Sequence, residues 1–594
     1  MRSSNPSNSI SSFESAADAK DWRSAARRRM RRVAACVAIV ASLAPVVASS
    51  ATDTATATPT TARMAAGKAN AATAPGGAAV AASPPRVSLQ IAQGTLLGRS
   101  EQGLQVFRGI PFAGAPVGEW RWRPPRPAPS WRGVRDAGEF GPVCPQILQP
   151  GYTKEDLEHR PMSEDCLQLN VWTPQARAGA KRPVMVWILP GGFRAGDGGM
   201  AMYDGRALAE RGVVVVTFNY RLGIFGEFAH PAMSRAQSGE PLANYHLMDQ
   251  LAALRWVRAN IDAFGGDAAN VTIFGMSAGG MSVNYLMASP AAAGLFDKAI
   301  SQSSALRMSH DRKLAEDVGK LPSLESEGAR HAGKLGVGEG DAAAVLRGLR
   351  ALTMQQLLDY QAKNPIGTSG GLNPVIDGRI VVEPVGRAFE LGHEQPVPYM
   401  TGATSWEGSL IRAGVGALQP VLDLLALTRE QVDPLYQEPD ADRLAWKTYS
   451  DFFLATQRHL AAGHARHGRA AWVYRFSRVL DAHVGDTFGA PHGSETRYVF
   501  GTLDDLARAP GDRRPLEGWR VGASDRTYAD LMARYWVNFA TWGDPNGEGL
   551  PGWPARGANS DLLLEFGQQV PQVRRDFIGE RQALFESQFA AGKL

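Results

Sequence analysis

Two stretches of the chain are apolar at nearly every position rather than at every second one: residues 183–189 (Pro-Val-Met-Val-Trp-Ile-Leu) and 212–218 (Gly-Val-Val-Val-Val-Thr-Phe). A half-exposed strand would alternate, so unbroken runs of this kind predict parallel strands covered on both faces. A short helix is predicted between them, over 205–210. A longer one is predicted over 247–263, where Leu247, Leu251, Leu254 and Val257 recur at helical spacing. The β-branched and aromatic run Val271-Thr272-Ile273-Phe274 predicts another strand, and 280–288 a helix after it. Strand and helix thus alternate, the pattern of an α/β fold with a mostly parallel central sheet. Further strands are predicted over 397–403 and 471–476. The helix-rich stretches around 310–362 and 411–470 read as insertions over one end of the sheet. From residue 87 to 108 short strands alternate with glycine turns.

Before residue 86 the pattern is different. Residues 27–32 are basic, 33–47 are apolar apart from Ser42 and Pro45, and Val46-Val47-Ala48 offers small residues to a signal peptidase. Residues 1–48 are therefore expected to be a leader cleaved near Ala48, with translation starting at Met1 or Met30. A buried N-terminal helix is the alternative. The apolar run is too short to be a stable membrane span. Residues 49–85, rich in Ala, Thr, Pro and Gly, lack the large apolar side chains that would offset the entropy of ordering them, and are expected to be a linker. The folded domain is expected over 86–594.

Charge changes the picture only in the leader. Residues 1–48 hold eight Lys and Arg against three Asp and Glu, which accounts for the whole formal charge of +5. The remainder is balanced, so the pI near 9.0 gives no support for a nucleic-acid surface. Two cysteines follow the leader, Cys144 and Cys166, and an even pair in an exported chain suggests a disulfide, with two buried thiols as the alternative. His459, His464 and His467 form the one histidine cluster, read as a solvated helix face rather than a metal site. No metal and no cofactor is expected.

The candidate chemistry lies between strand 271–274 and the helix after it. Gly275-Met276-Ser277-Ala278-Gly279 is a G-x-S-x-G run. A sharp turn between strand and helix exposes a serine Oγ beside the backbone N–H groups of the helix start. A glycine-rich chain produces this pattern easily, and Gly367-Thr368-Ser369-Gly370-Gly371 also matches, but Ser369 has no strand before it and no helix after it. A serine hydroxyl needs a base, and the base an orienting acid. Glu407, after strand 397–403, and His492, after strand 471–476, are the candidates by position and order; Asp377 and His483 are their rivals. Gly191, Gly192 and Ala278 supply N–H groups that would form an oxyanion hole.

Together these residues resemble the type-B carboxylesterase/lipase family of α/β-hydrolases, which includes cholinesterases and bacterial carboxylesterases. The resemblance runs from about Val87 to Phe577. It is carried also by Phe107-Arg108-Gly109-Ile110-Pro111-Phe112-Ala113, Ser163-Glu164-Asp165-Cys166-Leu167-Gln168-Leu169-Asn170-Val171, Asn219-Tyr220-Arg221-Leu222-Gly223, Phe264-Gly265-Gly266-Asp267 and Trp542-Gly543-Asp544-Pro545-Asn546-Gly547. It implies an α/β-hydrolase fold, a Ser277–Glu407–His492 triad, a hole built from Gly191, Gly192 and Ala278, a Cys144–Cys166 disulfide and an Arg121–Glu164 ion pair. The implied activity is hydrolysis of small carboxylic esters by an exported serine carboxylesterase. A lipase acting on insoluble triglyceride and a non-catalytic binding module are the alternatives. The chain departs from the family pattern at Met276, often Glu; at Leu189-Pro190, where a longer glycine run is usual; and at His246, usually Gly.

Overall fold

The computed structural model describes residues 85–147, 160–304, 312–319, 321–338, 340–364, 373–411, 418–485, 487–505, 520–557, 560–575 and 577–594. The expected leader, nearly all of the expected linker, and Ser369 lie outside them.

The described residues build one 13-stranded sheet. Its strands are β1 (Arg86–Ile91), β2 (Gly94–Glu101), β3 (Leu104–Pro111), β4 (Val134–Asp136), β5 (Gln168–Thr173), β6 (Arg182–Ile188), β7 (Val214–Phe218), β8 (Gly266–Met276), β9 (Lys298–Gln302), β10 (Tyr399–Thr404), β11 (Ala471–Phe476), β12 (Leu562–Phe566) and β13 (Gln572–Arg575). The spatial order is β1-β2-β3-β5-β7-β6-β8-β9-β10-β11-β12-β13, with β4 beside β2. From β7 to β12 every neighbouring pair is parallel. The flanking pairs β1–β2, β2–β3, β3–β5, β5–β7 and β12–β13 are antiparallel.

The unbroken apolar runs lie where their pattern places them. Every residue of β7 is buried, as are Val184–Ile188 of β6. Trp187 on β6 is fully buried, with Phe274, Phe500 and Tyr203 at ring-centroid distances of 4.9, 5.0 and 5.2 Å. Such aromatic pairs contribute about 0.5–1.5 kcal/mol each beyond the burial itself. The predicted strand 271–274 is the buried end of the longer β8, in which residues 267–270 are partly or fully exposed. The predicted helix 247–263 is Tyr245–Asn260 followed by a 3-10 turn, Ile261–Phe264, ended by Gly265 at φ 83°. The helix-rich stretches contain Leu324–Lys334, Ala342–Ala351 and Met354–Lys363, then Leu418–Leu424, Arg429–Tyr436 and Ala441–Arg466.

One expectation fails inside the last of these helices. His459 and His464 are buried rather than solvated. The His464 ring is held by the Glu394 carboxylate (2.7 Å) and the Val397 carbonyl (2.9 Å), and His459 Nδ1 by Glu586 (2.6 Å). The helix Ala441–Arg466 runs between the sheet on one side and the C-terminal helix Glu580–Ala590 on another, which covers positions that look polar in sequence.

The register brings four strand ends to one edge. Met276 pairs with Gln302, Gln302 with Gly402, and Thr404 with Phe476. The chain therefore leaves β8, β9, β10 and β11 side by side, at their C-terminal ends.

Candidate active site

Ser277 is the residue on which β8 turns into the helix Ala278–Ala288. It sits at φ 56°, ψ −122°, a conformation that non-glycine residues adopt at a cost of about 1–3 kcal/mol. Its neighbours permit the turn. A Cβ on Gly275 would overlap the Gly279 backbone, and one on Gly279 would overlap the Ile188 carbonyl. The Ser277 N–H donates to the Gln302 carbonyl at 2.9 Å, fastening the turn to the end of β9. Ala278 opens the helix, so its N–H is one of those the helix leaves without an internal partner.

Beyond the end of β6, Pro190-Gly191-Gly192-Phe193 makes a second tight turn. Gly191, Gly192 and Phe193 all have positive φ, at 109°, 61° and 58°. A Cβ on Gly191 would overlap the Ala195 carbonyl, whereas nothing lies within 4 Å of where one on Gly192 would be. β6 and β8 are parallel neighbours, with Ile188 opposite Gly275, so this turn lies beside Ser277.

Glu407 and His492 come from the loops after β10 and β11. The two loops are joined by a bridge between Trp406 and Pro491 and by the Trp406 N–H on the Ala490 carbonyl at 3.0 Å. His492 Nδ1 is paired with Glu407 Oε2. The other Glu407 oxygen accepts from the Thr404 N–H at 2.7 Å, and the Ser409 hydroxyl accepts from the His492 N–H at 2.9 Å. Glu407 is fully buried and His492 nearly so. The His492 loop also abuts the serine turn: a Cβ on Gly493 would overlap the Met276 methyl. Burial alone would lower the His492 pKa, but the Glu407 charge, its hydrogen bond and the Glu495 charge together raise it above its ordinary value.

The rival residues do other things. Asp377 is a turn residue whose carboxylate accepts from the N–H groups of Arg379, Ile380 and Val381 at 2.8–3.0 Å. His483 accepts from the Arg520 N–H at 3.0 Å.

Glu495 is a residue that pattern reading passes over. It starts the helix Glu495–Phe500 and is fully buried. It accepts from the Ser303 hydroxyl at 3.2 Å, and Ser303 follows directly on β9. Burial, reinforced by the Glu407 charge, pushes its pKa up to about 7. The one local signal is an acid three residues after His492, and spacing alone does not show that the side chain turns inward.

Cys144 and Cys166 form a disulfide with their Cα atoms 5.1 Å apart. Next to it Arg121 grips Glu164 with two parallel hydrogen bonds of 2.7 and 2.5 Å, and reaches the Leu352 carbonyl at 2.6 Å.

The sequence model of the carboxylesterase family matches residues 85–424 and 426–585. This chain belongs to the carboxylesterase family. Like other members of this serine hydrolase family, this carboxylesterase acts on carboxylic ester bonds. It is 34% identical over 481 residues to fumonisin B1 esterase of Sphingopyxis macrogoltabida, covering 79% of this chain and 84% of the relative. It is 33% identical over 512 residues to para-nitrobenzyl esterase of Bacillus subtilis strain 168, covering 83% and 97%. It is 33% identical over 544 residues to carboxylesterase 5A of Canis lupus familiaris, covering 84% and 88%. A solved structure of PNB esterase superimposes on the carboxylesterase with a TM-score of 0.70 at 30% identity, covering 84% of this chain and 98% of that one. The fold is that of the α/β-hydrolases. Among the described residues no helix is long and apolar enough to cross a membrane.

Proposed function

We propose that this carboxylesterase is an exported enzyme that cleaves small-molecule esters through an acyl-enzyme on Ser277. The observation that carries the reading is the His492–Glu407 pair, held at the same sheet edge as the strained Ser277 turn. With Nδ1 committed to Glu407, the other ring nitrogen of His492 is left to take the Ser277 proton. Ser277 Oγ then attacks the ester carbonyl, and the N–H groups of Gly191, Gly192 and Ala278 stabilise the oxyanion. His492 returns the proton to the leaving alcohol. Water, deprotonated by the same imidazole, then releases the acid. Every step is acid–base and nucleophilic chemistry of these side chains, so the reading calls for no cofactor. Export is supported by the leader pattern of residues 1–48 and by the disulfide, a bond characteristic of oxidising compartments.

The test is covalent. A fluorophosphonate should label the Ser277 peptide, and Ser277→Ala should lower kcat by several orders of magnitude, on the scale of ~10⁴–10⁶ known for such triads. Labelling at Ser369, or undiminished turnover after Ser277→Ala, would overturn the assignment.

A further inference from the structure

The turn Gly191–Phe193 places three consecutive residues at positive φ, and the third is not a glycine. Such a backbone persists only where its surroundings over-determine it. Besides a 6.4 Å pair with the Tyr220 ring, two closer contacts meet at Phe193. Its carbonyl accepts from the Gly223 N–H at 2.8 Å. Its fully buried ring lies against the His246 imidazole, with centroids 4.8 Å apart and planes inclined by 35°.

His246 is itself fixed. It is fully buried in the first turn of the helix Tyr245–Asn260. Its Nδ1 accepts from the Leu247 N–H at 2.7 Å, one of the donors a helix start leaves open, which puts the ring proton on Nε2. Nε2 faces the buried Glu227 carboxyl at 3.7 Å. Arg221, in the loop that carries the Gly223 N–H, clamps Asp249 of the same helix through two bonds of 2.8 and 2.7 Å. Helix, loop and turn are thus tied together, and His246 is the only part of the helix stacked on the Phe193 ring among the described aromatic pairs. Burial holds the His246 pKa down to about 3.

From this packing we infer that His246 is a positioning residue for the oxyanion hole. Its ring acts through Phe193 to hold the Gly191 and Gly192 N–H groups on the developing oxyanion. The inference rests on the esterase reading given above. An amide that wanders from the oxyanion weakens a charge-stabilising bond that counts in the transition state more than in the ground state. Loss of the brace should therefore appear in kcat rather than in KM.

The experiment compares His246→Gly, which removes the ring, with His246→Phe, which keeps a ring but no nitrogen, and Phe193→Leu, which removes the other half of the stack. Each is assayed for kcat and KM on a soluble ester and for Ki of a trifluoromethyl ketone, whose adduct with Ser277 carries an oxyanion. The two ring-deleting substitutions, His246→Gly and Phe193→Leu, should each lose on the order of 10–100-fold in kcat, less than outright removal of a donor. KM should stay within about two-fold, and Ki should rise by the same factor as kcat falls. His246→Phe should keep most of the wild-type kcat. Unchanged kcat in either ring-deleting variant overturns the inference, as does an equal loss in His246→Phe and His246→Gly. Should His246→Gly fail to fold, Phe193→Leu and His246→Phe decide alone. Fluorophosphonate labelling of the wild-type protein separates the two levels. No labelling at Ser277 removes the esterase reading itself, while normal labelling with indifferent variants removes only the role of His246.

Discussion

Glu495 adds a second titrating group beside the His492–Glu407 pair, and its effect has a definite sign. Burial holds back the charge on His492, but Glu407 and Glu495 outweigh it and raise the pKa above the usual 6.5. A general base works unprotonated, so kcat/KM should rise with pH through a midpoint above 6.5. Glu495→Gln removes one of the raising charges and should move that midpoint to lower pH; a pH–rate profile that does not shift refutes the coupling. The same substitution has a stability signature. The Glu495 pKa is about 7 in the folded protein against an ordinary 4.5, so the folded state holds a proton that the unfolded chain releases. This group therefore contributes stability that is present below about pH 4.5 and lost as pH rises through about 7, on the order of a few kcal/mol, so the stability difference between wild type and Glu495→Gln should shift in favour of the variant over that range. Denaturant midpoints of both proteins at about pH 4.5 and about pH 8 check this. Met276 carries a prediction of another kind. It places a thioether where family members often have a carboxylate next to the nucleophile. The sequence between Cys144 and Cys166 has no Trp or Phe to receive a quaternary ammonium, an attraction worth about 0.5–2 kcal/mol. Acetylcholine should accordingly be no better a substrate than its uncharged tert-butyl isostere. A ten-fold higher kcat/KM for the cation, about 1.4 kcal/mol, would refute this expectation.

At the scale of elements, the disulfide and the Arg121–Glu164 fork do related work on one loop. The bond spans a sequence separation of 22 and joins two residues that are fully buried. Closing a loop of that size removes about 3 kcal/mol of chain entropy from the unfolded state. Replacing both cysteines by serine should lower the unfolding free energy of the full chain by roughly that amount, read from denaturant titration. Arg121 then ties the loop to the helix Ala342–Ala351 through the Leu352 carbonyl, just past its end. Rotations about the two glycine-containing turns are fixed in a different way, by contact. At Gly275, Gly279 and Gly191 a methyl group would meet backbone atoms that have no room to move.

For the whole molecule, the separation of charge is the informative property. The basic excess belongs to residues 1–48, and removing them leaves a balanced chain. If they are a signal, exported protein should begin near Ser49 and contain no alkylatable thiol before reduction. N-terminal sequencing and thiol labelling of the secreted fraction check both, and an intact N-terminus or two free thiols would count against export.

The sequence by itself determined the architecture around the serine. Unbroken apolar runs mark strands of a buried parallel sheet because only strands covered on both faces need no polar side. The Ser277 turn was legible because everything that permits it, a buried strand, glycines at 275 and 279 and a following helix, is local. β9 was not legible, since Lys298 and Ser301 interrupt a strand only five residues long that the sheet nonetheless buries completely. The pairing of Glu407 with His492 could be ordered but not chosen over Asp377 or His483, because the partners are 85 residues apart and meet only when β10 and β11 lie side by side. Likewise the burial of His459 and His464, the raised pKa of Glu495 and the stacking of His246 on Phe193 depend on which element covers which. Charge and burial at a side chain are set by its neighbours in space, and sequence distance does not encode them.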